Sequence, residues 1–585
     1  MKSNLNSVVT PIVPALEILR GEIDRIDDQI LHLLEQRYAV IGRVTRAKAN
    51  DSSQFLPLRP VRERQIIERL SAKSSRVPVA DVAHIWRSIL SLSGQFQRQY
   101  QIILWGPEEA RVALSRLAAT RFGSIPMSWA ESRDEAIAAA RSGKSIVLIP
   151  ADLLQPSAAP DLDLIGQYQL DCVDHPWALA MGRLAVEADA PPARWHPTSW
   201  THFVHHQLPA YPDQLSVAAV EQKLADAEPV VEGEAAASLS ALLIEAEQGR
   251  RVLIQAGDCA EPIDSSRADT LAMSALISDL GRRLEQDSET PAILIGRLGG
   301  QFAKPRSASV EQHGGQKLAV YRGDAVNHPG ASHDERLADP TRLNDAYAQS
   351  RRVADWLSNR DSIRGGTTRN LFTSHEALLL NYEAALTRRD PNDGRWWARS
   401  AHSLWLGDRT RDPRGAHVEY LSGIANPIGI KCGPTLDSDQ LRTLLERIDP
   451  ERTPGRVMLI ARLGHERVAD RLGLLMEAVQ RSGHPALWLC DPMHGNNLIV
   501  GGAKTRLVPD IFAEVEQFVR IARAMGVHPG GLHLEITPRP VLECVDTLAQ
   551  ANSPRRYESR CDPRLNVDQA RRLVARFATV LRVGR

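Results

Sequence analysis

The sequence predicts a multidomain chain: an all-α helical domain over residues 1–100, a small α/β module over 101–192 and a (β/α)8 barrel over 193–585. Three observations carry this division. Apolar residues repeat at helical spacing from 12 to 100, with no strand-like run. Between 101 and 190, two short apolar runs flank helical stretches. From about 195 onward, eight short β-like runs alternate with helical segments, the number such a barrel needs.

Leu16, Leu19, Ile23, Ile26, Ile30 and Leu33 follow a 3-4 spacing that continues through Val40 and Val44, predicting one long helix to about Lys48. A Pro-containing loop (Phe55–Pro60) precedes a helix over Val61–Ala72, and a third helix starts near Ala80, just after Pro78. In the α/β module, Gln101–Trp105 and Ser145–Pro150 read as strands, and Ala110–Thr120 and Arg133–Arg141 as helices. No nucleophile–base pair or Gly-rich phosphate loop occurs there, which favours a spacer or docking role. Val186–Trp195 (VEADAPPARW) reads as a linker. The eight barrel runs are Val252–Gln255, Ala292–Ile295, Asn370–Thr373, Ser403–Leu406, Ile428–Lys431, Val457–Ala461, Ala486–Leu489 and Leu532–Ile536; Leu318–Tyr321 is a ninth candidate.

The 585 residues carry 71 Lys+Arg against 71 Asp+Glu, so nothing in the overall charge suits polyanion or anionic-membrane binding. Six scattered cysteines without a C-x-x-C pair exclude a disulfide scaffold and the common zinc-ribbon reading. There is no signal-like h-region and no apolar run near the ~18 residues of a membrane span. The expectation is a cytoplasmic protein with small-molecule partners, neither nucleic acid nor membrane. Only nine of the 71 basic residues are lysines, so a lysine inside a motif is unusual for this chain.

Arg37 occupies the position after Leu33 where the helical repeat expects an apolar residue. Lys48 lies three turns further along the same face, roughly 16 Å away. The stripe of the third helix (Val82, Trp86, Ile89) likewise runs into Ser93 and Gln97. Polar groups on a buried face imply an internal polar pocket, since unpaired buried charge is expensive. Arg20 points about 100° away from Arg37, toward a neighbouring chain. The competing reading is a first helix that frays after Leu34, with solvated cations.

The run LEILRGEIDRIDDQILHLLEQRYAVIGRVTRAKA, then RPVRERQIIERL and a third helix ending SLSGQFQRQ, resembles the all-helical chorismate mutases over about 14–100. The resemblance implies that Arg37, Lys48, Arg62, Glu63, Ser93 and Gln97 form the pocket, with Arg20 lent across an intertwined dimer. Chorismate is a dicarboxylate that rearranges without a nucleophile or cofactor. Arginines clamp its carboxylates, while Lys48 and Gln97 stabilise the ether oxygen as its bond breaks. Arg59 stands where several members carry an acidic residue.

In the C-terminal region, Cys259, His494, Glu535 and Asp562 lie at or just beyond strand-like runs, where a barrel gathers its active site. A thiolate, an imidazole and two carboxylates suit Mn²⁺, Co²⁺, Fe²⁺ or Zn²⁺. Arg297, Lys304, Arg306, Arg409, Arg411, Lys431 and Arg462 fall at similar positions and suit phosphate binding. The ordered motifs GDCAE, GRLGGQFAKPRS, TSHEALLLNYE, GDRTR, GAHVEYLSGIANPIGIKCGP, CDPMHGN, GGLHLEIT and RCDPRLN resemble the type II 3-deoxy-D-arabino-heptulosonate 7-phosphate (DAHP) synthases. The likeness spans roughly 195–582 and implies a TIM barrel that condenses phosphoenolpyruvate with erythrose 4-phosphate. It implies Cys259, His494, Glu535 and Asp562 as metal ligands. Arg297, Asp408, Arg409, Lys431 (catalytic) and Arg462 would take phosphoenolpyruvate, and Lys304, Arg306 and Ser307 the sugar phosphate. Asp408 replaces the glutamate usual in that motif, and the stretch between Arg322 and Thr373 is short for the family, as in members that serve secondary metabolism.

Together the two resemblances imply a bifunctional shikimate-pathway enzyme acting as a homodimer or larger homo-oligomer. The alternative is a DAHP synthase whose helical domain senses chorismate or prephenate, or acts as an isochorismate-pyruvate lyase.

Overall fold

A computed structural model of the 585-residue chain describes residues 12–47, 55–71, 73–74, 76–123, 125–154, 159, 161–184, 195–306, 308–313, 315–358, 371–559 and 561–582. Its contacts divide the chain into two units, Met1–Ala193 and Arg194–Arg585.

The first unit opens with α1 (Ile12–Ala47), α2 (Pro60–Ser71) and α3 (Val79–Gln97). Pro60 opens α2, where its missing N–H costs nothing, and Pro78 precedes α3. The ends fall within a residue or two of the expected ones, while Lys48, Ala72 and most of the expected linker lie outside the described residues. α1 packs on α3 only through its C-terminal half. Ile41 is buried, Tyr38 meets Phe96 edge-on at 5.2 Å, and Gly42 leaves room for the same ring. A 36-residue helix is about 54 Å long, and the 19 residues of α3 cover about half of that. Leu16, Leu19, Ile23, Ile26, Ile30 and Leu33, the expected seam, are consequently 47–62% exposed in a single chain.

After the helices come β1 (Gln101–Leu104), α4 (Glu108–Phe122), β2 (Met127–Trp129), α5 (Arg133–Arg141), β3 (Ser145–Pro150), β4 (Asp163–Gln169) and β5 (Trp177–Gly182). The sheet order is β2-β1-β3-β5-β4, with β1, β2 and β3 parallel and β4 and β5 antiparallel. Sequence patterning finds β1 and β3, which are buried apolar strands. It misses the three-residue β2, the buried β5, and β4, an edge strand of mixed polarity and partial exposure. Leu56, Leu58 and Tyr100, from the segments flanking the helices, pack into this module's core.

The second unit is built around β6 (Val252–Gly257), β7 (Ala292–Arg297), β8 (Leu371–Glu376), β9 (Ser403–Leu406), β10 (Ile428–Cys432), β11 (Val457–Ala461), β12 (Leu487–Cys490) and β13 (Pro529–Glu535). All eight are parallel, pair in sequence order and close β13 onto β6. This is the expected eight-stranded barrel. The ninth candidate belongs elsewhere: Gln316–Ala319 pairs with Val310–His313 in a separate two-stranded hairpin. Apolar side chains fill the strands and the encircling helices, as in Ser438–Ile448 with Leu441, Leu444, Leu445 and Ile448 buried on one face. Among the described residues, no helix is long and apolar enough to cross a membrane.

Candidate active site and metal centre

Parallel closure delivers every strand end to one mouth. β6 leads into Cys259, β7 ends on Arg297, β8 on Glu376 and β13 on Glu535; Lys431 is the penultimate residue of β10, and Arg462 directly follows β11. Donor atoms of Cys259, Glu535 and Asp562 lie within 4.8 Å of one another, with the Cys259 thiol 3.6 Å from Asp562 Oδ2. His494 Nε2 is 3.0 Å from Glu535 Oε1, beside this trio but not within its mutual 4.8 Å spacing. The donor set is mixed S, N and O, mostly buried, and matches the preferences of a first-row divalent metal.

Cations hold these acids in place. Glu535, fully buried, is met by Arg297 at 3.2 Å, Lys304 at 3.3 Å and Arg506 at 2.9 Å. Burial alone would raise its pKa, yet His494, Lys304 and Arg506 pull it well below the ordinary carboxylate range. Asp562 is lowered in the same way, against its burial and chiefly by Lys304. Burial opposes a charged Lys304, but the acidic groups of Cys259, Glu535 and Asp562 raise its pKa. Lys504 reaches in from the hairpin 498–505 to within 3.0 Å of Asp562 Oδ1.

The second half of the mouth is a chain of charges. Lys431 Nζ lies 2.6 Å from Asp491, whose other close partner is His494 Nδ1 at 2.7 Å. Burial lowers the Lys431 ammonium to about 8 even though Asp491 opposes the shift. Asp408 bridges Arg462 at 2.8 Å and Arg411 at 2.9 Å, so this carboxylate orients arginines at the mouth. Its oxygens press on Gly433, where any side chain would collide with them. Trp405 lies within cation–π reach of both Arg297 and Lys431.

Glu261 accepts backbone N–H groups from Gly299, Gly300 and Gln301 at 2.9, 3.1 and 2.9 Å, fixing the loop that leads to Lys304. Arg306 pairs with Glu311 at 3.4 Å, and Ser307 lies outside the described residues. Glu376 Oε1 is sealed from solvent without a hydrogen-bond partner, and a Cβ at Gly407 would sit 2.0 Å from it. Burial raises this carboxyl against the pull of Lys304, Lys431, Arg409 and His494. Patterning ended this strand at Thr373 and so passed over Glu376. Asp491, Arg506 and Lys504 were also missed, although Asp491 and Lys504 sit inside or beside recognised motifs.

In the helical region, Arg37 donates to Ser93 Oγ, and Ser93 is buried on α3. Partial burial lowers the Arg37 pKa. Gln97 lies one turn beyond Ser93 and donates to its carbonyl at 3.4 Å. Arg62 is exposed and Glu63 half-buried on the first turn of α2. Arg20 is exposed on α1. Lys48 is not among the described residues, and Arg20 stands about 26 Å along the helix from Arg37.

The family model for the class-II DAHP synthetase family matches residues 195–368 and 358–578, and that for chorismate mutase type II matches residues 19–98. A probable phospho-2-dehydro-3-deoxyheptonate aldolase of Pseudomonas fluorescens is 41% identical over 374 residues, covering 62% of this chain and 92% of that protein. Phospho-2-dehydro-3-deoxyheptonate aldolases of Streptomyces coelicolor and Neurospora crassa are 36% and 35% identical over 425 and 448 residues. Each alignment covers 64% of this chain, with 94% and 92% of the respective relatives. A closed parallel barrel with this mouth, behind a mutase-type helical region, places the chain in the class-II DAHP synthetase family as a bifunctional shikimate-pathway enzyme, DAHP synthase and chorismate mutase in one polypeptide.

Proposed function

We propose that Cys259, His494, Glu535 and Asp562 hold one divalent metal, from Mn, Co, Fe or Zn, and that the cations around them bind the two phosphorylated substrates. The observation that carries this reading is the meeting of thiol, imidazole and two carboxylates with Arg297, Lys304 and Lys431 at one barrel mouth. When bound, the metal supplies Lewis acidity to the aldehyde of erythrose 4-phosphate.

The protein's own groups do the rest. Arg297, Arg409, Lys431 and Arg462 neutralise the carboxylate and phosphate of phosphoenolpyruvate. The buried Nε of Arg297 has no partner in the protein and is a donor left for substrate. Asp408 acts on this substrate through Arg462. Lys304, Arg306 and Ser307 receive the sugar phosphate. As C3 of phosphoenolpyruvate bonds to the aldehyde carbon, water adds at C2, and Glu376 takes its proton through the unpaired Oε1. The proton taken by Glu376 goes on to the former aldehyde oxygen, which becomes a hydroxyl; Lys431 protonates the phosphate oxygen as the C2–O bond breaks and recovers a proton from the C2 hydroxyl as it becomes a ketone.

In the helical region, residues 1–100, Arg37, Ser93, Gln97, Arg62, Glu63 and Lys48 bind chorismate. Arg20 completes the pocket of a second copy. Leaving six large aliphatic side chains of α1 half in water forfeits roughly 0.8–1.5 kcal/mol each, which covering by that copy recovers.

Asp562→Ala tests the metal centre. Phosphoenolpyruvate consumption should fall below detection, and bound metal with it, while chorismate loss stays at the native rate. Retained condensation would overturn the ligand assignment.

A further inference from the structure

Arg297 is 1% exposed, and a guanidinium this deep in a barrel has to be held by partners of the right polarity. Nη2 donates to Glu535 Oε1 at 3.2 Å, and Nη1 lies 2.9 Å from Nε2 of His533, itself fully buried. The second contact is attractive only if Nε2 carries a lone pair, so the tautomer of His533 decides whether Arg297 is held or repelled.

The surrounding hydrogen bonds determine that tautomer. Ser374 Oγ donates its single proton to the carbonyl of Gly296 at 3.3 Å, so it accepts from Gln255 Nε2 at 2.9 Å. That turns Gln255 Oε1 toward His533 Nδ1 at 2.8 Å. An amide oxygen only accepts, so Nδ1 bears the proton and Nε2 the lone pair. The chain starts at a backbone carbonyl of β7, crosses β8, β6 and β13, and returns to β7 at Arg297. It sits inside the strand layer, where the barrel geometry of four adjacent strands determines every position. Trp405 closes it from the side: its ring meets that of His533 perpendicularly at 5.3 Å and lies 5.2 Å from the Arg297 guanidinium carbon.

We infer that Ser374, Gln255 and His533 are positioning residues for phosphoenolpyruvate binding: their chain of hydrogen bonds aims His533 Nε2 at Arg297 as an acceptor and so holds Arg297 with its Nε left unpaired for the substrate. The inference rests on the assignment of Arg297 to phosphoenolpyruvate made above. None of the three is given a substrate contact; each acts through Arg297. Without the relay, the guanidinium is free to turn wholly onto Glu535 and loses its aim.

The test is steady-state kinetics of the full-length, metal-loaded enzyme. Gln255→Met keeps the length but removes both the acceptor on His533 Nδ1 and the donor to Ser374, so nothing fixes which nitrogen of His533 faces Arg297. It should raise the KM for phosphoenolpyruvate about tenfold or more, with kcat and the KM for erythrose 4-phosphate within about threefold. His533→Leu should do the same, and His533→Gln, which restores an acceptor, should recover part of the loss. Ser374→Ala, the mildest change, should give a smaller rise in the same constant with metal content unchanged. Native-like phosphoenolpyruvate KM in Gln255→Met and Ser374→Ala, beside a raised KM in Arg297→Lys, overturns the relay and leaves the substrate assignment standing. An unchanged KM in Arg297→Lys overturns both.

Discussion

At the scale of single residues, the barrel mouth is a problem of placing charge. Most of its carboxylates are already engaged: Glu535 by three cations, Asp491 by Lys431 and His494, Asp408 by two arginines. Glu376 keeps a buried oxygen with no hydrogen-bond partner, which is what a proton acceptor for attacking water needs. Glu376→Gln preserves shape and removes basicity. It should lower kcat by about 10²–10⁴-fold with little change in the KM for phosphoenolpyruvate; a kcat within a few fold of native would rule this role out. Lys431 gives a pH signature. Its ammonium is lowered to about 8 by burial, and the donating form is the protonated one, so kcat/KM should fall as pH rises through that value. A profile flat to pH 9 would contradict the assignment. Lys431, Lys304 and Cys259 were legible because motif spacing names them. Glu376 and Asp491 gain their meaning from neighbours far away in sequence, which no local pattern encodes.

At the scale of elements, the helices and strands follow from local chemistry wherever burial is one-sided or complete. Helix Arg267–Ser288 starts with Ser266 and Asp269 satisfying each other's backbone N–H groups in a capping box. Ser266→Ala should cost about 1 kcal/mol of stability in denaturant unfolding and leave both reactions at native rates. Central barrel strands are continuous apolar runs because both faces are covered, and they were read correctly. The C-terminal ends of β6, β7 and β8 lie beyond the expected ones, and β8 runs on to take in the polar pair His375 and Glu376. Polar residues inside a strand end look like a loop in one dimension. They stay in the ladder because His375 finds Glu383 at 2.7 Å and Glu376 finds the mouth.

At the scale of the whole molecule, equal counts of acid and base conceal a concentrated positive charge at the barrel mouth, balanced locally by the carboxylates of Glu535, Asp562, Asp491 and Asp408. The helical region raises the question of a second copy. If Arg20 serves a neighbour's pocket, Arg20→Ala and Arg37→Ala are each inactive on chorismate. Mixed and reassembled in equal amounts, they should regain about a quarter of native chorismate turnover, since half the dimers carry one complete site of two. No recovery on mixing would mean that Arg20 acts within its own chain or not at all. Condensation by the barrel should be untouched in both variants.

By itself the sequence determined the three kinds of architecture, the eight runs that form the barrel strands, the family of each catalytic region and a set of candidate ligands. Period, composition and ordered motifs are written along the chain, so these are local facts. Only the tertiary structure decided that the α1 seam is left about half exposed, that the strand at Gln316–Ala319 lies outside the barrel, and that Asp408 faces two arginines. It alone links Ser374, Gln255, His533 and Arg297 into one directed chain of hydrogen bonds. Which acid meets which base, and which nitrogen of a histidine holds the proton, depends on distances between residues 278 and more positions apart. Those distances exist only once the barrel has closed.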